Sequence, residues 1–257
     1  MALKRPAAAL LSFAGHDPLG SAGIVADAKT FVRFGFLPFT LASCLTVQDL
    51  DGVHQVRPVD QDFNRRAFAG LRASLPPGGL KVGLLPDETA LDMAAFMARS
   101  MTGPVVCDPV LFASGGQDVN PTGLRERYCR DLFPLCTAIT PNCRELALLC
   151  GEDDPLHAAR RLLERCPGLK SVVVTGLATA QGYADLLVTP DADALLPVAG
   201  PKRQRELHGT GCHYSSALLC ALAAGQCLKD AVGTAQDYTA MAAAAWRMTT
   251  AGPMDLL

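Results

Sequence analysis

Along this chain, short and uniformly apolar runs alternate with longer segments whose apolar positions recur every three to four residues. Runs of the first kind read as strands buried on both faces of a sheet, and the second kind as helices laid against it. Residues 7–13 form the first such strand. The glycine-rich segment 14–23 follows, and Ser21 is placed to cap a helix that runs to about Phe34 and closes at Gly35. A second strand over 38–47 ends at Gln48-Asp49, a shorter one covers 53–56, and a helix spans 61–74. Residues 80–85, 104–109 and 138–142 read as further strands, with a helix over 87–101 between the first two. Asn142 would cap the next helix, with Glu145 one turn in. Strands over 172–176 and 183–188 come later, and two helices, from Gly211 and from about Leu228, close the chain. Such alternation predicts a mostly parallel sheet covered on both faces, and 257 residues suit one α/β domain over 1–257.

The polar residues gather at strand ends. Gly15 and Asp17, Gln48, Asp108 and Asn142 each follow an apolar run, and in a parallel sheet those ends lie on one edge, where α/β proteins hold ligands. The glycines after the first strand do not have dinucleotide-binding spacing, and no acidic residue follows the second strand, which disfavours a nicotinamide enzyme. The second glycine loop, His208-Gly209-Thr210-Gly211-Cys212, runs straight into small, helix-compatible residues. The first amides of a helix have no intrahelical partner and its dipole is positive there, so the loop suits an anion, a phosphoryl group above all. Cys212 sits at the same end, where that field should favour thiolate and make the sulfur a base. A glycine turn capping an ordinary buried helix fits the same residues.

Composition narrows the classes. Formal net charge is -2, with 23 basic against 25 acidic side chains, which leaves no electrostatic footprint for nucleic acid or an anionic membrane. The basic run 202–205 is short and local. Ten cysteines include no Cys-x-x-Cys pair, so scattered reduced thiols of a cytoplasmic protein explain them better than a zinc site. Lys4-Arg5 before an apolar run mimics a signal peptide, yet the run leads directly into Gly15, and no apolar stretch approaches the roughly 20 residues of a membrane helix.

Taken in order, Ala14-Gly15-His16-Asp17-Pro18, Gly20-Ser21-Ala22-Gly23-Ile24, Ala26-Asp27-x-Lys29-Thr30-Phe31, Thr46-Val47-Gln48, Lys81-Val82-Gly83-Leu84-Leu85, Asp108-Pro109-Val110, Thr140-Pro141-Asn142-x-x-Glu145 and His208 to Cys212 resemble the hydroxymethylpyrimidine/phosphomethylpyrimidine kinases of thiamine biosynthesis. Those enzymes belong to the ribokinase-like superfamily. The first and last blocks carry most of the specificity, and the matches run from residue 14 to about 225.

The resemblance implies a ribokinase-like three-layer α/β/α sandwich that uses ATP with Mg²⁺, in a cytoplasmic and commonly dimeric enzyme. It implies phosphorylation of a pyrimidine's hydroxymethyl group and then of the monophosphate. Gly15, Asp27, Gln48 and Leu84 would line the pyrimidine pocket, with Leu84 where methionine is more usual. Asn142, Thr175 and Thr210 would contact the nucleotide, Asp108 and Glu145 would hold the metal, Gly209 and Gly211 would form the anion hole, and Cys212 would be the base where most of the superfamily has aspartate. Departures stand beside these matches: Ser114-Gly115-Gly116 lacks the lysine usual after the Asp108 strand, Thr175-Gly176 replaces Lys-Gly-Gly, and His213 replaces a small hydroxyl residue. Two other functions remain open at this stage, a pyridoxal or pyridoxine kinase and a pyrimidine-binding paralogue without transfer activity.

Overall fold

The computed structural model describes residues 8–111, 122–198, 208–245, 247–248 and 253–254. In chain order the elements are β1 (Ala9–His16), α1 (Gly23–Arg33), β2 (Leu37–Asp49), β3 (Gly52–Pro58), α2 (Gln61–Ser74), β4 (Leu80–Val82), α3 (Glu88–Arg99), β5 (Val105–Cys107), α4 (Thr122–Arg127), β6 (Ala138–Ile139), α5 (Cys143–Cys150), α6 (Pro155–Arg165), β7 (Val172–Thr179), β8 (Gly182–Val188), β9 (Asp193–Pro197), α7 (Thr210–Ala223), α8 (Leu228–Ala245), β10 (Arg247–Met248) and β11 (Pro253–Met254).

Nine strands form one sheet in the order β3-β2-β1-β4-β5-β6-β7-β8-β9. The pairs from β2 through β7 are parallel, while β3 at one edge and β8 and β9 at the other run antiparallel to their neighbours. Because strand side chains alternate, Leu10, Val106, Ala138 and Val173 pack with residues of α1, α7 and α8, whereas Leu11, Phe13, Val82, Cys107 and Val174 pack with residues of α2 to α6 on the opposite face. Both faces are therefore dry, which is why the strands read as unbroken apolar runs. Full burial of a residue such as Phe13 or Phe31 contributes about 2–3 kcal/mol.

The pattern reading placed these core strands and helices correctly and missed others. Asp154 caps α6 by accepting from the His157 amide at 2.8 Å, with Pro155 at the first helical position, a start signal present in the sequence but not used. The strand β9 and the antiparallel pair β10 and β11 were also unread, so the chain does not close on two helices. Ser21 is not the cap of α1. Ala22 holds that position and makes no side-chain cap bond.

Candidate functional site

The first glycine loop is built around a carboxylate. Asp17, buried at the end of β1, accepts from the amides of Leu19 at 2.8 Å, Ser21 at 3.2 Å and Ala22 at 2.8 Å, so one side chain folds the turn that leads into α1. Gln48 Nε2 donates to the same carboxylate, and His208 Nε2 lies 3.1 Å from it. Burial would raise the Asp17 pKa, but His208, the Leu19 amide and Gln48 together hold it below the ordinary value. Asp17 thus joins the ends of β1 and β2 to the residue that opens the second glycine loop.

Gly15 precedes this turn, and a β-carbon there would lie 3.2 Å from both Cys44 Sγ and Leu84 Cδ2. Gly15, Leu84 and Cys44 are therefore close neighbours. Asp27 differs from the expectation. It is fully buried within α1, and its carboxylate is engaged by Lys81 Nζ at 3.0 Å, Ser12 Oγ at 2.5 Å and Ser216 Oγ at 2.7 Å. It has no accessible surface, and its carboxylate is taken up by these internal partners. Lys81, on β4, is likewise fully buried. Burial alone would lower its pKa; Asp27, helped by Cys212 and Asp108, overcomes that and raises it.

The second loop lies against the first. Gly209 caps α7 with φ +89, and a β-carbon would overlap the Ser21 carbonyl oxygen. Both constraints demand glycine. Gly209→Ala is therefore expected to destabilise the fold by more than about 2 kcal/mol through strain and overlap, measured by urea unfolding. A loss below about 0.5 kcal/mol would mean that the loops separate readily.

The Gly23 amide lies close enough to Cys212 to favour its thiolate, and Gly23 itself abuts the Gly15 carbonyl, so Gly15 and Cys212 are brought to one place from opposite ends of the chain. Cys212 is half-buried. Its expected thiolate is not borne out. Burial, with the Asp27 and Asp108 carboxylates, outweighs Lys81 and the Gly23 amide and pushes the thiol up to about 12. Desolvation is the largest influence here.

Asp108, at the end of β5, accepts from Ser215 Oγ at 3.3 Å, and its Oδ2 is close to Gly211. Glu145 completes a capping box with Asn142, each side chain accepting from the other's amide, and also accepts from the Leu111 amide at 3.4 Å. Burial and then the Asp108 charge push the Glu145 carboxyl up to about 8, and burial also raises Asp108. Two desolvated carboxyls, one of them raised further by the other's charge, suit a divalent cation. Among the described residues no group of three or more His, Cys, Asp or Glu could hold a metal alone, and a Mg²⁺ ion that keeps waters and phosphate oxygens needs no such cage. The Thr175 amide donates to the Pro141 carbonyl at 3.0 Å, which sets Thr175 beside Asn142.

Glu145 makes stability depend on pH. Its folded-state pKa lies above the unfolded value, so the unfolded chain releases the proton first and stability falls as pH rises from the ordinary glutamate value to about 8. In Glu145→Gln the difference in thermal midpoint between pH 5 and pH 8.5 is expected to shrink. An unchanged difference would place the titration elsewhere.

Residues 17–254 match the profile of a family described as phosphomethylpyrimidine kinase. The chain belongs to that family. It is 30% identical over 236 residues to the hydroxymethylpyrimidine/phosphomethylpyrimidine kinase of Aquifex aeolicus, covering 89% of this chain and 91% of that protein. It is also 30% identical over 239 residues to a thiamine biosynthesis bifunctional protein of Geobacter sulfurreducens, covering 91% of this chain and 48%, about half, of that longer protein. Among solved structures, an ADP complex of Bacillus subtilis pyridoxal kinase superposes with a TM-score of 0.85 at 27% identity over 97% of each chain. The three-layer ribokinase-like sandwich and the kinase assignment expected for this phosphomethylpyrimidine kinase family member are borne out. The loop at 113–116 and the basic run 202–205 lie outside the described residues. Sequence reasoning missed the part played by Asp17, although it had marked the strand end, and gave no role to Lys81, Ser12 or Ser216.

Proposed function

We propose that this chain transfers the terminal phosphoryl group of ATP to the hydroxymethyl oxygen of 4-amino-5-hydroxymethyl-2-methylpyrimidine, and a second one to the resulting monophosphate. One observation carries the reading beyond family membership: the two glycine loops meet, with Gly209 against the Ser21 carbonyl and Gly23 against that of Gly15, near Cys212. Gly15 and Leu84 flank the guest ring, and Gln48, turned by Asp17, offers its amide oxygen at the same edge. Asp27 is taken up internally by Lys81. The amides of Gly209, Thr210 and Gly211 with the dipole of α7 hold the transferring group, while Asn142 and Thr175 receive the nucleotide. Asp108 and Glu145 would hold Mg²⁺, which when bound neutralises charge on the phosphate oxygens. Cys212 takes the proton from the attacking hydroxyl. It does so as the thiolate, which the raised pKa keeps to a small fraction at neutral pH, a limited contribution that suits a loose transfer in which positioning dominates.

Absence of a lysine at Thr175-Gly176 makes the backbone donors and the metal carry more of the phosphate charge. A cytoplasmic homodimer belongs to the same proposal. Ten free cysteines support the reducing compartment, and among the described residues no helix is long and apolar enough to cross a membrane. Light scattering tests the dimer.

A second reading, pyridoxal phosphorylation, is favoured by the 0.85 TM-score to the Bacillus subtilis pyridoxal kinase. Release of ADP, measured side by side with the pyrimidine, its monophosphate and pyridoxal, separates the two. The pyrimidine is expected to give the highest kcat/KM. Faster turnover of pyridoxal by about tenfold or more, a 1.4 kcal/mol preference, would replace the first reading with the second.

A further inference from the structure

The two phosphate-binding elements of the proposed site, the Thr175-Gly176 segment and the Gly209-Gly211 loop, lie on different elements that are distant in sequence. Something must set the distance between them. In the β7-β8 ladder Val174 pairs with Leu186 and Leu177 with Ala184, so Thr175 and Gly176 together oppose the single residue Asp185. This is a bulge, and Gly176 adopts φ +71 within it. The ladder is interrupted there. In its place the Gly176 amide donates to Asp185 Oδ1 at 2.9 Å. The other carboxylate oxygen, Oδ2, accepts from Tyr214 Oη at 2.8 Å and from Gln236 Nε2 at 3.0 Å.

These three donors come from β7, α7 and α8, and Asp185 is 2% exposed. A carboxylate placed so deeply requires all of them, because each unmet bond would leave charge desolvated. Tyr214 stands two residues beyond Cys212 on α7, while Thr175 is fixed on its other side by the Pro141 carbonyl. One buried side chain is therefore bonded both to the bulge expected at the nucleotide and to the first turns of the anion-binding helix.

The geometry points to Asp185 as a positioning residue that fixes the spacing between the Thr175-Gly176 bulge and the Gly209-Gly211 loop, and so sets nucleotide affinity without touching the nucleotide. The inference rests on the proposed phosphoryl transfer from a nucleotide. Its consequence is selective. The pyrimidine wall of Gly15 and Leu84 is built on β1 and the segment that follows β4, neither of which bonds to Asp185, so losing the brace should loosen one ligand and spare the other.

The test uses the full chain and calorimetric titration with magnesium-ADP and, separately, with the pyrimidine. Asp185→Asn keeps the shape but replaces one acceptor oxygen by a donor; Tyr214→Phe removes only the tie to α7 and protects the test if the first variant does not fold. Asp185→Asn is expected to weaken ADP binding about tenfold or more and Tyr214→Phe about three- to tenfold, the range for losing hydrogen bonds to a charged group. Pyrimidine affinity is expected to stay within about twofold in both. Unchanged ADP affinity in folded variants, or equal weakening of both ligands, would overturn the brace while leaving the proposed transfer standing. Failure of the unaltered chain to bind ADP at all would overturn the transfer reading, and the brace with it.

Discussion

Cys212→Ala is expected to lower kcat for the pyrimidine by about 10²- to 10⁴-fold, the usual contribution of a positioned proton acceptor. Pyrimidine affinity should survive, because the wall formed by Gly15, Cys44 and Leu84 does not include the sulfur. The pH profile distinguishes a chemical from a packing role. A thiol pushed up to about 12 is protonated throughout the neutral range, and its deprotonated fraction grows about tenfold for each pH unit below that value. Turnover by the unaltered chain should therefore climb between pH 6.5 and 9 at saturating substrates, and the climb should be absent in the alanine variant. An alanine variant within about twofold of the parent rate would assign the proton elsewhere and leave the anion loop to act by positioning alone.

Lys81→Met should have the largest effect on stability. The substitution leaves Asp27 fully buried with only the hydroxyls of Ser12 and Ser216 as partners. Breaking a buried pair by removing one partner costs about 3–5 kcal/mol, because the remaining charge is uncompensated. Urea unfolding should show a correspondingly lower midpoint with an unchanged slope. The double variant Lys81→Met, Asp27→Asn should recover much of that loss, since the charges leave together. The pH dependence has a definite sign. The folded-state pKa of Lys81 is raised, so the pair's stabilisation is complete below the ordinary lysine value and is lost only as strongly alkaline pH carries the chain through the folded value. A loss below about 1 kcal/mol for Lys81→Met would show that water reaches the pair.

These two residues also show how far a linear reading extends. Lys81 lies inside an apolar strand and Asp27 inside an apolar helix face, each a charge in a setting that demands a partner. Both were visible as isolated anomalies. Their pairing was not, because 54 positions separate them and only the adjacency of β1 and β4, with α1 laid across, brings them to 3.0 Å. The same limit applies to Cys212. Its place at a helix start was legible from Gly209 to Gly211, but the sign of its pKa shift depended on which buried charges would surround it.

Local spacing was sufficient wherever the determining forces were local. Apolar runs of strand length, the Asn142 cap with Glu145 three residues on and the glycines at 209 and 211 specified a mostly parallel sheet, a capped helix and a tight glycine loop entering a helix, because alternation, capping and φ preference act over a few residues. Tertiary structure alone decided that Asp17 would organise the first loop, that Asp27 would be spent on Lys81 and that Asp185 would join the bulge to α7. Those outcomes depend on burial and on long-range adjacency, and desolvation has no value until the fold has chosen what each charge will face.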